Sequence, residues 1–130
     1  MPMNGQRKFK MNNFSIQKMI TNGFKLSRAF SDEETDAYIN SFMVYRYYDM
    51  GILDARIIVY TDGNVKIDIM DRTSKAYYAP WYTESPDRWE ILEVVEKNLL
   101  RIMKKLEIKD VTVKNKKINR NRKNTDKGDT

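Results

Sequence analysis

The chain has 130 residues, 41% hydrophobic and 12% aromatic, so it is long enough and apolar enough to fold as one globular domain. It contains no cysteine and no histidine, which excludes disulfides, thiolate chemistry, histidine-based metal sites and every catalytic arrangement that uses a histidine base. The net charge is +6 and no apolar run approaches the roughly 18–20 residues of a membrane span, so we predict a cytoplasmic protein without a membrane partner.

The first element is a basic segment, residues 1–12. It carries Arg7, Lys8 and Lys10 and no acidic residue. A short segment of this composition is typical of a flexible arm that contacts an anionic partner. We therefore predict a flexible basic arm over 1–12, followed by a single folded domain over 13–113.

Two short helices are predicted next. Residues 14–23 fit a two-turn helix that Asn13 caps and Gly23 ends. Residues 31–41 begin with the Ser-x-x-Glu spacing of a capping box, which favours a second short helix before the first strand.

The clearest pattern is a three-stranded antiparallel meander over residues 42–70. In its second hairpin, 55–70, a three-residue loop at 61–63 puts Gly63 where a left-handed conformation is needed. This loop keeps the apolar residues of both strands on one face, whereas a slip of one residue would scramble them. The predicted pairs are Val59–Val65, Ile57–Ile67, Ala55–Ile69 and Arg56–Asp68.

The first hairpin, 42–58, has a similar loop at 49–51 that ends in Gly51. Its predicted pairs are Tyr47–Leu53, Tyr45–Ala55, Met43–Ile57 and Arg46–Asp54. Together the hairpins predict a core face made of Met43, Tyr45, Tyr47, Leu53, Ala55, Ile57, Val59, Val65, Ile67 and Ile69. The second face mixes aromatic rings with arginines, a combination that single-stranded nucleic-acid readers use for stacking. We favour the alternative that the N-terminal helices cover this face.

An aromatic segment, KAYYAPWYTESPDRWE at residues 75–90, connects the sheet to the next helix. Trp81 and Tyr82 follow Pro80 and are the best candidates for exposure, so we predict a partner-binding crest at Tyr78, Trp81 and Tyr82. The alternative is that these rings pack structurally. Trp89 falls inside the helical pattern and is expected to pack on the core.

The last ordered elements are a long helix over 86–106 and a short strand over 108–113. Ser85 is a good N-cap, and Pro86 fits the first helical position. The apolar stripe of the helix is expected to lie across the core face of the meander. Residues 114–130 contain one large apolar residue, Ile118, and are predicted to be a disordered basic tail.

The positive charge is concentrated at the two ends of the sequence. Residues 1–30 carry six bases and no acid, residues 31–113 carry 11 bases and 16 acids, and residues 114–130 carry seven bases and two acids. Basic ends around a mildly acidic body indicate contact with nucleic acid or a nucleoprotein, although such ends also serve solubility alone. The predicted nucleic-acid contacts are Arg7, Lys8, Lys10, Lys114, Lys116, Lys117, Arg120, Arg122 and Lys123.

These patterns predict an α+β fold, a meander of three strands with room for a fourth or fifth, and a long C-terminal helix on one face. No phosphate-binding glycine loop is present, and we predict no catalytic residue, no metal site and no cofactor. The function predicted is a small binding module that contacts nucleic acid or a nucleoprotein through its basic ends. The alternative is an inhibitor of a host protein, encoded by a phage or mobile element. The small size and the Lys-, Asn- and Ile-rich composition resemble such inhibitors, including the anti-CRISPR class.

Overall fold

A computed structural model of the chain describes residues 7–46, 51–83 and 89–112. Within these ranges one antiparallel sheet carries three helices, which confirms the predicted α+β class. The strands are β1 (Phe9–Met11), β2 (Lys25–Ser27), β3 (Ala37–Arg46), β4 (Ile52–Tyr60), β5 (Asn64–Asp71), β6 (Ala76–Tyr77) and β7 (Ile108–Asp110). The helices are α1 (Ile16–Thr21), α2 (Ala79–Tyr82) and α3 (Trp89–Leu106).

The predicted meander is the centre of a wider sheet. Strands β3, β4 and β5 pair in sequence order, and the full order is β2-β3-β4-β5-β1-β7, with β6 also paired to β5. Since β4 occupies one edge of β5, β1 and β6 share its other edge, at residues 64–65 and 70–71. The sheet therefore gains strands from both ends of the chain.

The prediction of a flexible arm over residues 1–12 is wrong where the structure describes it. Residues 9–11 form β1, which pairs with β5 on one side and with β7 on the other. Phe9 and Met11 are buried, only 3% and 5% exposed, so the segment is held by apolar burial as well as by backbone hydrogen bonds. Residues 1–6 lie outside the described ranges.

The second hairpin has the predicted register. Gly63 adopts φ +92° and donates its N–H to the carbonyl of Tyr60 at 2.8 Å, which closes the three-residue loop as expected. All four predicted pairs are present, namely Val59–Val65, Ile57–Ile67, Ala55–Ile69 and Arg56–Asp68.

The first hairpin differs from its predicted register. Strand β3 begins at Ala37 and contains a β-bulge between Met43 and Tyr45. On the hairpin side of the bulge Tyr45 lies opposite Leu53 and not opposite Ala55, a shift of two positions that leaves it on its predicted face. The bulge leaves one residue unpaired, so the predicted faces are reversed on its side away from the hairpin loop, at Met43 and the residues before it. Met43 is consequently 52% exposed and Val44 is buried, the reverse of the prediction. Residues 47–50, with Tyr47 and most of the predicted loop, lie outside the described ranges.

The charged pair predicted in that hairpin is also replaced. Asp54 lies opposite Met43, and its carboxylate accepts two hydrogen bonds from Arg72 at 2.8 and 2.9 Å. Arg46 instead lies opposite Ile52 near the end of the strand. The bulge does not account for this change, because Arg46 lies between the bulge and the hairpin end; its shift of two positions along β4 is set where the pairing starts, at Arg46–Ile52.

Of the two short helices, one is present. The helix α1 is capped by the side chain of Ser15, and Asn13 instead adopts a left-handed φ of +57°. The helix predicted over 31–41 is wrong. There the Asp32 carboxylate accepts from the backbone N–H groups of the second and third residues after it, which forms a turn, and β3 starts at Ala37. The same side chain that suits a helix start also suits a turn.

The core lies between the predicted face of the sheet and the helices. α3 contributes Val95, Leu99, Met103 and Leu106, all buried against the same cluster as the β4 and β5 core residues. Each such side chain contributes roughly 1.5–3 kcal/mol of burial. Met19 of α1 belongs to this cluster, so α1 lies on the core face and does not cover the second face as predicted.

The second face is covered in part by the segment between β2 and β3. The Phe30 ring lies 5.3 Å from the Arg56 guanidinium, and Ile58 on this face is fully buried. At the other end of the chain, α3 ends at Leu106, and the short strand predicted over 108–113 is present as β7, which pairs with β1 at the edge of the sheet. Ser85 and Pro86 lie outside the described ranges. None of the helices that the structure describes combines the length and hydropathy required to cross a membrane.

Candidate nucleic-acid interface

Strand β1 separates its residues between the two faces of the sheet. Phe9 and Met11 point into the core, whereas the alternate residues Lys8 and Lys10 are exposed on the opposite face. Both lysines were predicted as nucleic-acid contacts. The structure places them on a sheet and not on a flexible arm.

Two lysines from neighbouring strands join them. Lys10 lies directly opposite Lys109 of β7 and opposite Asn64 of β5. Lys66 follows two residues after Asn64 on β5, on the same face, and is also exposed. We call Lys8, Lys10, Lys66 and Lys109 the lysine face.

The spacing of the lysine face follows from sheet geometry. Residues directly opposite on antiparallel strands have Cβ atoms about 4.5–5.5 Å apart, and alternate residues along a strand are about 6.5–7 Å apart. Lys10 and Lys109 form such an opposite pair, and Lys8 and Lys10 such an alternate pair. Four positive charges thus lie on or next to three adjacent strands, with Lys8 immediately before β1.

No carboxylate in the described part of the chain pairs with these lysines. Asp110, next to Lys109 in sequence, lies opposite Phe9 and so belongs to the other face. Asp62, on the turn before β5, accepts from the backbone and side-chain nitrogens of Asn64 at 2.9 and 3.0 Å. Like charges directly opposite on a sheet are destabilising, so an anionic ligand would relieve a repulsion that the fold leaves in place.

Arg7, the third predicted contact on this segment, faces the other way. Its guanidinium donates to Asp110 Oδ2 at 2.8 Å and to Glu96 Oε2 at 3.3 Å. It also lies 4.6 Å from the Trp81 ring centroid and 5.2 Å from that of Phe9. The hypothesis that Arg7 contacts nucleic acid is therefore not supported, because its charge is already used in joining β1 to α3 and β7.

The Asp110 carboxyl shows the effect of this cluster. Burial alone would raise its pKa, but hydrogen bonds from Thr112 and from Arg7 lower the pKa below its ordinary value of 3.8. The carboxylate form is thus the one that the fold stabilises.

The predicted partner-binding crest is built into the core. Trp81 is fully buried and Tyr78 is 7% exposed, so the prediction that Trp81 is exposed is wrong. The short helix α2 follows β6 and places Trp81 beside Arg7, in the gap that β1 and β6 leave along the outer edge of β5. Trp81 therefore fills space between elements and presents no free ring.

Tyr82 is half-buried, and its hydroxyl connects α2 to β5. Its hydroxyl donates to Asp68 Oδ1 at 2.7 Å and accepts from the Ile69 N–H at 3.3 Å. Burial, and then the nearby carboxylate of Asp68, raise the pKa of Tyr82 far above its ordinary value of 10.0. Asp68 itself also accepts from Arg56 at 3.1 Å, the cross-strand pair expected from the sequence. Among the rings of this segment that the structure describes, the exposed one is Tyr77, at 56%.

The predicted contacts of the C-terminal tail lie outside the described ranges. They are Lys114, Lys116, Lys117, Arg120, Arg122 and Lys123. The described chain ends at Thr112, whose Oγ1 accepts from the Lys8 N–H at 2.8 Å. The last described residue therefore lies beside Lys8 of the lysine face.

Sequence reasoning missed Lys66 and Lys109. Lys66 lies between the buried residues Val65 and Ile67, and Lys109 follows the buried Ile108, so a signal for outward-facing lysines was present. What was missing was the insertion of β1 between their strands, because three residues give too little pattern to predict pairing.

No group of three or more potential metal ligands is found among the described residues. Comparisons of the chain with protein-family models, with curated proteins and with solved structures found no match.

Proposed function

We propose that this protein binds nucleic acid through the phosphate backbone, with the lysine face as the ordered part of its contact surface. The observation that carries the proposal is the set of four exposed lysines on or next to three adjacent strands, none of them paired with a carboxylate in the described part of the chain. Lysine is a point charge that binds phosphate without requiring a fixed orientation.

The chemistry of the lysine face favours backbone contact over base reading. The residues that alternate with these lysines on their own strands, Asn64 and the exposed Val111, carry no aromatic ring, and the ring of Tyr60 on the neighbouring strand β4 is partly buried. Base-specific recognition of single strands relies on aromatic stacking and hydrogen bonds to base edges. We therefore expect binding that is strong at low salt, largely independent of sequence and non-enzymatic.

The basic C-terminal segment would extend the same surface. It carries seven bases against two acids and follows Thr112, which contacts Lys8. A cytoplasmic location, as predicted from the sequence, would give the protein access to nucleic acid.

The test is the salt dependence of binding to a fluorescein-labelled oligothymidine of roughly 20 nucleotides, longer than the usual footprint of about 4–16 nucleotides. Each lysine that neutralises a phosphate of a single strand contributes about 0.7 to the slope of log K against log salt. The double variant Lys10→Gln/Lys109→Gln should therefore lower that slope by about 1.4, and its affinity should fall at low salt.

The matched control removes two exposed lysines of α3, as Lys97→Gln/Lys105→Gln. It changes the net charge equally and should leave the slope within error of the parent. If both double variants lower the slope by the same amount, binding follows total charge and the assignment to the lysine face is wrong.

The tail is tested separately by truncation after Thr112. If truncation removes part of the slope and Lys10→Gln/Lys109→Gln removes a further part, both regions contact the strand. Deletion of residues 1–12 is not a valid test of the basic N-terminus. It removes β1, which contributes Phe9 and Met11 to the core.

A further inference from the structure

A second surface lies at the opposite side of the sheet, between the end of β3 and the exposed side of α3. There a cleft of about 420 Å³ is lined by residues 43–46 of β3 and by Val94, Asn98, Arg101 and Ile102 of α3. Strand β4 separates β3 from β5, the nearest strand that carries a residue of the lysine face, so the cleft and the lysine face are at least two strand spacings, about 10 Å, apart.

The cleft has an apolar part that is open to solvent. Met43 is 52% exposed and Val94 is 41% exposed, and the half-buried Ile102 lies beside them. The exposure of Met43 follows from the β-bulge, which places its side chain outward. A bound apolar side chain would remove these residues from water.

The charged part of the cleft is positive. Arg46 and Arg101 are both exposed, and neither forms an ion pair within the described ranges. The acids of α3 that the structure describes lie on its first half, at Glu90, Glu93 and Glu96, and Glu96 is paired with Arg7. The cleft thus presents two guanidinium groups, the side chain best suited to bind carboxylates in a bidentate way.

The backbone at this edge limits how a partner can bind. β2 pairs with β3 only at residues 37–39, so the edge of β3 beyond them has no neighbouring strand in the described part of the chain. However, the Ser41 N–H donates to Asn40 Oδ1 at 2.8 Å, and the Val44 carbonyl accepts from Asn98 Nδ2 at 2.7 Å. These side chains and the bulge block the addition of a regular strand. Recognition here must therefore come from side chains.

We propose that this cleft binds a short acidic segment of another protein, with one large apolar side chain against Met43 and Val94 and carboxylates on Arg46 and Arg101. Charge complementarity selects this occupant over a basic or neutral segment. The inference does not rest on nucleic-acid binding, because the two surfaces share no residue.

The probe is a fluorescein-labelled peptide, acetyl-Glu-Glu-Leu-Glu-Glu-amide, titrated by anisotropy up to about 1 mM protein, the weak end of the affinity range. Two matched peptides replace either the leucine by serine or all four glutamates by glutamine. The first peptide should bind, and each replacement should weaken binding at least fivefold.

The protein variants locate the site. Arg46→Gln/Arg101→Gln should weaken peptide binding about tenfold or more, because two charge-assisted contacts are removed. Met43→Gln should weaken it several-fold. Lys10→Gln/Lys109→Gln should leave it unchanged, and oligothymidine should not displace the peptide.

Thermal unfolding checks that the variants remain folded, and the exposed positions of these side chains make them suitable for substitution. No measurable binding of the first peptide overturns the proposal. So does binding that Arg46→Gln/Arg101→Gln leaves unchanged, or binding that falls with Lys10→Gln/Lys109→Gln and competes with oligothymidine. That last result would assign the peptide to the lysine face and would leave the nucleic-acid proposal standing.

Discussion

The two faces of β1 use the same kind of charge for different purposes. On one face, Arg7 lies among Trp81, Glu96 and Asp110 and connects the strand to the rest of the fold. On the other face, Lys8 and Lys10 are exposed beside lysines of the neighbouring strands. A count of basic residues cannot separate these roles, because the direction of the side chain decides whether a cation stabilises the fold or remains available to a ligand.

The largest effect on stability is expected for Trp81→Ala, which removes the ring that Arg7 contacts on the structural face of β1. Truncation of a fully buried Trp leaves a cavity, and we expect the free energy of unfolding to fall by about 3–5 kcal/mol in urea denaturation. The control is Tyr77→Ala, whose ring is 56% exposed and should cost less than about 1 kcal/mol. If the Trp81 variant is as stable as the Tyr77 variant, Trp81 is not part of the core, and the prediction of an exposed crest is correct after all.

A smaller effect is expected for Arg7→Gln. Its two ion pairs are partly exposed and its ring contact is partly desolvated, so together they contribute about 1–2 kcal/mol. Lys8→Gln should change stability by less than about 0.5 kcal/mol. The effect on oligothymidine binding should be the opposite. Lys8→Gln should lower the slope of log K against log salt, and Arg7→Gln should leave it unchanged. If Arg7→Gln lowers the slope and leaves the stability unchanged, the two faces have the reverse roles.

The parts of the fold that were predictable are those with long, self-consistent patterns. The hairpin at Gly63 has one loop length that satisfies both faces, and the stripe of α3 extends over five turns. The Arg56–Asp68 pair followed from that register without further information. Local rules therefore sufficed where many residues supported the same answer.

The parts that failed depend on contacts distant in sequence or on a single irregular residue. Whether residues 9–11 pair with β5 and β7 depends on strands 55 and 100 residues away. The bulge at Val44 reverses a face without a glycine to indicate it. Trp81 is buried by Arg7 and its surroundings, which the order of residues in its own segment does not reveal. The lysine face was therefore half predicted, as Lys8 and Lys10 without their neighbours.

Acidification tests the structural face of β1 through Asp110, when the parent is compared with Arg7→Gln. A carboxyl whose pKa is lower in the folded chain stabilises the fold above its unfolded pKa, and this stabilisation is lost as pH falls through the lower folded pKa. For Asp110 we expect the loss to begin as pH falls below its ordinary value of 3.8. The loss should be smaller in Arg7→Gln, which lacks one of the donors to Asp110. Equal pH profiles for the parent and Arg7→Gln, measured by urea denaturation between about pH 5 and pH 2, would show that Arg7 does not stabilise this carboxylate.

The smallest effect concerns the exposed face and has the opposite sign. Lys10 and Lys109 lie directly opposite one another without an acidic partner in the described part of the chain, so Lys10→Gln should raise stability by a few tenths of a kcal/mol at low salt. Lys109→Gln should do the same, and the double variant should gain less than the sum, because either substitution removes the same repulsion. Near 1 M salt, where the Debye length is about 3 Å, the gain in stability should vanish.

A saturating oligothymidine should reverse the order of stabilities at low salt, so that the parent becomes more stable than either variant, since the strand stabilises the parent more. Equal stabilisation of all the proteins by the strand would mean that the repulsion at this pair is not what the ligand relieves.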